Sequence, residues 1–195
     1  MTGAAKKFWM LLAAVALVQS AMLLKIVWDR QRLLKTGREI VMQVVPVDPR
    51  DIMRGDYVTL GYGISPMRRS ALKDSASLTG LGRGAPVYVT IRPDTASNWT
   101  PVNVSVAYPA DVADGDAVLK GRVQYIWDEA NNDNANLAVT FGIESYFVPE
   151  GTGKPLEQSV RDKKIQAIVA VGPDGTAAIK GLVIDGERHE DTPLF

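Results

Sequence analysis

Charged side chains of both signs cluster in one short stretch of the chain. The segment PVDPRDIMRGDY, residues 46–57, places five of them within nine positions: Asp48, Arg50, Asp51, Arg54 and Asp56. Carboxylates and guanidinium groups this close together either pair with one another or present a polar surface to a partner. We therefore predict an internal ion-pair network or a docking surface here, in preference to a catalytic centre.

Serine and lysine side chains follow at a spacing that a hydrolase could use. Ser70 and Lys73 fit the pattern S-x-x-K, and Ser65 lies five positions earlier than Ser70. Such chemistry needs a serine nucleophile and a lysine base that burial keeps neutral. These residues follow the Gly55–Asp56 turn instead of preceding it, and S-x-x-K arises easily by chance. A membrane-tethered hydrolase resembling signal peptidase is therefore kept as an alternative, and no catalytic residue is assigned.

Metal and cofactor chemistry find little support in the sequence. The chain contains no cysteine and a single histidine, His189. His189 lies beside Glu187, Glu190 and Asp191, in a segment that we interpret as a solvated polar tail. The glycine-rich run at 80–84 precedes a predicted strand instead of opening a helix, which is the wrong side for binding a dinucleotide. We expect neither a metal nor a cofactor.

The elements that must position these residues begin with a membrane anchor. Phe8–Leu24 carries no charge, and continuation to Trp28 gives 21 residues. That length is about 31 Å in a helix, close to a hydrocarbon core of roughly 30 Å. We predict that residues 8–28 contact the lipid bilayer and that 1–38 form an anchor with a juxtamembrane helix ending at Gly37. A cleaved signal peptide, with Val18-Gln19-Ser20 at its cleavage site, is the alternative.

Charge is distributed unevenly between this anchor and the rest of the chain. Residues 1–38 hold seven bases and one acid, a charge of +6, while the remaining 15 bases and 21 acids give −6. A basic foot under an acidic body suits anionic lipid headgroups and not nucleic acid. We expect a single-pass protein of the bacterial inner membrane, with its C-terminal domain on the periplasmic, extracytoplasmic side.

Residues 39–195 have the composition of one β domain. Short runs rich in Val, Ile, Tyr and Thr alternate with Gly, Pro, Asp and Asn. The predicted strands are 40–47, 56–63, 86–92, 102–106, 117–127, 137–148, 165–171 and 176–184. Turns at 131–136 and 172–175 predict two hairpins. The fold class is mainly β: a transmembrane helix, then a single compact β-sandwich or barrel-like domain with one or two short helices, within 68–84 and 154–164.

Alternation along each strand predicts which side chains face the core. In 56–62 the inward set is Val58, Leu60 and Tyr62. In 117–127 it is Leu119, Gly121, Val123, Tyr125 and Trp127. In 141–148, Ile143 and Phe147 face one way, and Glu144, Tyr146 and Val148 face the other. Glu144 is expected to pair with Lys120 or Arg122 across a hairpin.

The segment GDYVTLGY, residues 55–62, matches in full the signature of the GDYXXLXY domain family of membrane-anchored bacterial proteins. The stretches 47–57, 141–157 and 177–186 also resemble that family, in the same order. The resemblance implies one N-terminal membrane helix and an extracytoplasmic domain, with no established activity. It also implies a multi-pass membrane protein as partner.

These observations lead to a function of binding and not of catalysis. We expect an accessory subunit of an envelope membrane-protein complex, with an envelope ligand sensor as a further alternative. The predicted motif or docking face comprises Asp48, Arg50, Asp51, Arg54, Gly55, Asp56, Tyr57, Leu60, Tyr62, Glu144, Tyr146 and Glu150.

Overall fold

One long apolar helix precedes a domain made of β-strands. The computed structural model describes residues 3–45, 57–68, 81–94, 97–127, 136–147 and 165–190. Helix α1 spans Gly3–Thr36, and every side chain from Lys7 to Arg30 is exposed. By length and composition this helix can cross a membrane. The predicted helical continuation up to Gly37 is confirmed.

Within the described residues, twelve strands follow the helix. They are β1 (Arg38–Val45), β2 (Tyr57–Thr59), β3 (Gly61–Tyr62), β4 (Met67–Arg68), β5 (Pro86–Pro93), β6 (Trp99–Ser105), β7 (Ala117–Trp127), β8 (Asn136–Thr140), β9 (Ser145–Phe147), β10 (Ile165–Val171), β11 (Ala177–Ile184) and β12 (Glu187–Glu190). The mainly β fold class is therefore confirmed. The two helix predictions, at 68–84 and 154–164, fall largely or wholly outside the described residues.

The strands form two five-stranded antiparallel sheets and one short ribbon. The first sheet has the order β12-β11-β10-β1-β3, and the second has the order β4-β8-β7-β5-β6. Strands β2 and β9 form the two-stranded ribbon. Backbone hydrogen bonds also connect the two sheets: the N–H of Gln43 in β1 donates to Ser97 between β5 and β6, and the N–H of Lys120 in β7 donates to Gly175 between β10 and β11. The arrangement is barrel-like for this reason.

A single apolar core lies between the two sheets. Alternate residues of β1, namely Ile40, Met42 and Val44, are buried there, in one cluster with Val87, Val89 and Ile91 of β5. This period of two follows from the pleat, which sends successive side chains to opposite faces. The predicted hairpin at 172–175 is confirmed, with Gly175 at a φ of 82°. The other predicted hairpin, at 131–136, lies almost wholly outside the described residues.

Helix α1 is joined to β1 through one residue, Gly37. A Cβ at this position would lie 2.6 Å from the Leu33 carbonyl oxygen and 3.1 Å from the Ala170 Cβ. Glycine is therefore required here by the close approach of helix and sheet. The last turns of the helix contact β10 and β11, and Gln31 is buried.

In two strands, the predicted inward and outward faces are wrong for the residues that follow an irregularity of the backbone. The pairing of β7 with β8 shifts register between Val123 and Tyr125. The bulge inserts one residue, so Tyr125 is exposed while Ile126 packs against the core. The predicted strand 137–148 is interrupted at 141–144, where Gly142 has a φ of 78°. Phe147 consequently faces solvent and Tyr146 packs against the core.

The predicted polar tail is also wrong, because Glu187–Glu190 forms β12 at the edge of the first sheet. All four of its side chains are exposed. This strand is held to the sheet by ion pairs and not by the burial of apolar side chains. Arg188 and Lys180 each bind both Glu39 and Glu190, at 2.6–3.2 Å.

Candidate functional site: the signature strand and the loop beside it

The segment that carries the signature runs from the two-stranded ribbon into the first sheet. Strand β2 pairs with β9, and two residues later β3 pairs with β1 of the first sheet. The alternation predicted for this segment is confirmed, since Val58, Leu60 and Tyr62 are all buried. The last two signature positions thus support the fold from inside, while the side chain of Tyr57 is not described.

Tyr62 connects the signature strand to the loop 141–144. Its phenol donates a hydrogen bond of 2.7 Å to the carbonyl oxygen of Ile143. Burial, and then the negative charge of Glu144, raise the pKa of Tyr62 far above its usual value. The phenol therefore stays protonated and keeps its role as donor. The backbone N–H of Leu60 donates to the carbonyl oxygen of Glu144 at 2.8 Å, which extends the same contact.

Glu144 holds the loop from within. Its two carboxylate oxygens accept hydrogen bonds from the backbone N–H groups of Phe141, at 2.5 Å, and Gly142, at 2.9 Å. Among the described residues it makes no ion pair with Lys120 or Arg122, so the predicted cross-strand pair is wrong. The loop offers two backbone donors at close range, and a charged acceptor binds such donors strongly.

The charged stretch that opened the sequence analysis lies outside the described residues. Asp48, Arg50, Asp51, Arg54, Gly55, Asp56 and Glu150 all belong to that part of the chain. Tyr57, the residue that follows this stretch in the sequence, pairs with Phe147 of β9. Residues 48–56 precede one end of the ribbon, and Glu150 follows the strand paired with it. Phe147, at the same end, is 78% exposed.

Of the predicted serine–lysine residues, only Ser65 is described. Its Oγ accepts a hydrogen bond of 3.0 Å from the backbone N–H of Val139. This contact fixes the segment before β4 against β8. Ser70 and Lys73 lie outside the described residues, and the hydrolase alternative stays a prediction. In the described ranges no three His, Asp or Glu side chains are grouped to hold a metal ion.

A buried carboxylate that the sequence did not reveal joins three segments. Asp116 is buried and binds the guanidinium group of Arg92 through both oxygens, at 2.8 and 2.9 Å. This pair raises the pKa of Arg92. Arg38 donates to the carbonyl oxygens of Gly115 and Asp116. Both carboxylate oxygens of Asp116 have hydrogen-bond donors, and the contacts connect β1 with β5 and with the start of β7.

A groove of about 330 Å³ opens beside the loop that Glu144 holds. Its lining includes Lys120, Arg122, Phe141, Glu144 and Ala177. Alternation placed Lys120 and Arg122 on one face of β7. It gave no sign that the start of β11 meets them, because that contact depends on the hairpin at 172–175 folding onto β7.

Comparison with models of known protein families identifies a similarity. The family described as "GDYXXLXY protein" matches residues 19–182, which is more than half of the 195-residue chain. No curated protein matches the chain significantly, and neither does any solved structure.

Proposed function

The chain belongs to the GDYXXLXY family, and from this we propose that it is a membrane-anchored binding or accessory subunit of a bacterial envelope membrane-protein complex. The partner is a multi-pass membrane protein. The exposed apolar helix keeps the domain in the plane of the bilayer with that partner. Confinement to one surface raises the effective concentration of each partner for the other.

The pairing of β2 with β9 supports this proposal. It joins Tyr57, which directly follows the charged stretch 48–56 in the sequence, to Phe147, which precedes Glu150 by three residues. Leu60 and Tyr62 lie buried below, and Tyr62 holds the loop that leads into β9. Charged groups around an exposed aromatic side chain are a common composition for a docking face.

Site-specific crosslinking in native membranes tests the docking face. A photoreactive amino acid at Phe147 should crosslink to a multi-pass membrane protein, and Arg54→Glu should reduce the yield severalfold. The matched position is Tyr108, which is 44% exposed and lies on the loop after β6. Equal crosslinking from both positions, or an unchanged yield with Arg54→Glu and Arg50→Glu, would contradict the proposal.

We also propose that the domain lies outside the cytoplasm. Lys6 and Lys7 favour a cytoplasmic N-terminus, and long domains translocate largely regardless of the charges that follow the span. The chain has no cysteine, so Val106→Cys creates a single thiol at a side chain that is 50% exposed. A maleimide that cannot cross membranes should label this thiol in intact spheroplasts. Labelling only after lysis would place the domain in the cytoplasm.

A further inference from the structure

The groove beside the 141–144 loop is lined by two cations, and the described part of the domain offers neither an ion-pair partner. Lys120 and Arg122 both line it from β7, and both are exposed. Arg122 donates one hydrogen bond, to the Gly84 carbonyl oxygen at 3.1 Å, and the Lys120 ammonium lies 6.0 Å from the centre of the Tyr88 ring. Within the part of the chain that the structure describes, neither forms an ion pair. Each therefore retains N–H donors for an external anion.

Two described carboxylates of neighbouring loops, Glu144 and Asp174, accept hydrogen bonds within those loops. Glu144 accepts from the backbone N–H groups of Phe141 and Gly142. Asp174 accepts from the hydroxyl and the backbone N–H of Thr176, and the hydroxyl contact is the main cause of its lowered pKa. Both acids keep their charge, but their oxygens accept hydrogen bonds from their own loops, and neither forms an ion pair with Lys120 or Arg122 in the described structure.

One wall of the groove lies next to the point where the helix leaves the membrane. Ala177 lines the groove, and its carbonyl oxygen accepts a hydrogen bond of 3.3 Å from Arg30 of α1. Arg30 follows Trp28, the last residue of the predicted span, by two residues, which is about 3 Å along a helix. A hydrocarbon core of roughly 30 Å lies within a bilayer of roughly 40–45 Å, so the headgroup layer reaches several ångströms beyond Trp28. The groove is therefore within reach of headgroups.

We propose that this groove binds the phosphate of an anionic phospholipid headgroup from the membrane that holds α1. Arg122 supplies a planar guanidinium group and Lys120 a compact ammonium group, and both are common phosphate ligands. Arg30 adds a third positive charge at the wall next to the membrane. The interaction fixes one face of the domain against the bilayer and goes beyond the proposed docking of a protein at the ribbon.

Native mass spectrometry of the full-length protein tests the site. The protein is reconstituted in nanodiscs of phosphatidylcholine with a defined fraction of phosphatidylglycerol, and the lipids that stay bound on release are counted. Wild-type protein should retain phosphatidylglycerol selectively. Lys120→Gln and Arg122→Gln should each lower that retention roughly fivefold, the contribution expected of one cation near an anionic surface.

Two further variants separate a bound headgroup from general attraction to the surface. The pair Lys120→Arg with Arg122→Lys keeps both charges and should retain the lipid. Arg68→Gln removes an exposed cation of β4, at the end of β8 away from Thr140, and should leave retention unchanged. An equal loss with Arg68→Gln, or no loss with the double Lys120→Gln and Arg122→Gln variant, would overturn the proposal.

Other occupants give different results in the same system. If inorganic phosphate binds in phosphatidylcholine nanodiscs and displaces the retained lipid at millimolar concentration, the site takes free phosphate and the proposal is wrong. It is also wrong if the double glutamine variant keeps the lipid but loses crosslinking from Phe147, because the cations would then serve the protein partner. Loss of lipid with intact crosslinking is the expected result.

Discussion

At the scale of single residues, the second tyrosine of the signature carries a hydrogen bond that the fold cannot replace. Tyr62 is 4% exposed and donates to the carbonyl oxygen of Ile143. Its ring belongs to the core, while its hydroxyl fixes the loop that ends at Glu144. One residue thus connects apolar packing with the shape of the groove and the position of β9.

Tyr62→Phe should lower the free energy of unfolding by about 1–3 kcal/mol, because the buried carbonyl group of Ile143 loses its donor. Denaturant unfolding of the full chain in detergent measures the difference. Tyr108→Phe is the matched control, since that hydroxyl lies on an exposed residue whose ring meets the Tyr88 ring edge to face. Equal stability of the two variants would show that the contact contributes nothing.

The sequence predicted the inward faces of the signature strand but not the partners of its neighbours. Alternation identified Val58, Leu60 and Tyr62 as core because all three lie on one regular extended segment. Glu144 was assigned a cationic partner across the hairpin, yet it binds the N–H groups of its own loop. That outcome depends on the positive φ at Gly142. A prediction from alternating side chains assumes an extended backbone and cannot foresee such a turn.

At the scale of elements, the strands that were predicted well are those with a buried apolar face along their whole length. Ile165–Val171 and Ala177–Ile184 are nearly as expected. Errors arise where a partner strand sets the geometry. The bulge after Val123 moves Tyr125 outward. Strand β12 contains no apolar residue, so its sequence has no alternating pattern that predicts a strand. Ion pairs to neighbouring strands cannot be seen in the sequence of one strand.

Strand β12 should loosen at acidic pH. Hydrogen bonds from Arg188, and then from Lys180, lower the pKa of both Glu39 and Glu190 below the ordinary value of 4.5. A carboxylate whose pKa is lowered by folding contributes stability above its unfolded pKa and loses it as pH falls through the folded pKa. We therefore expect amide protection in 187–190 to decrease below about pH 4.5, measured by hydrogen exchange corrected for intrinsic rates. A variant with Glu39→Gln should lose part of this dependence.

The junction of α1 and β1 should be sensitive to a single methyl group. Gly37→Ala places a Cβ against the Leu33 carbonyl oxygen and Ala170, and overpacking of this kind costs about 1–3 kcal/mol. Thermal unfolding in detergent measures the loss. Gly82→Ala is the control, because its Cβ would have no neighbour within 4 Å. If both variants melt alike, helix and sheet are not in close contact at this point.

At the scale of the whole molecule, the exposed apolar helix decides how the protein is held. We expect the helix to be retained as an uncleaved anchor, because its apolar pattern continues past Ser20 to Trp28. Intact mass measurement of protein extracted from membranes should give the mass of the chain with residues 1–20 present. A mass lower by those residues, with the protein in the soluble fraction, would identify a signal peptide.

Because a single residue separates α1 from β1, we expect the helix and the domain to move together as one rigid unit. A hydrophobic helix longer than the local bilayer tilts to hide its excess length, and the tilt changes with membrane thickness. The linker consists of Gly37 alone, and Arg30 of the helix donates a hydrogen bond to Ala177 of the domain. The domain must therefore tilt by the same angle as the helix. Local bilayer thickness then sets the height and direction at which the ribbon is presented above the membrane.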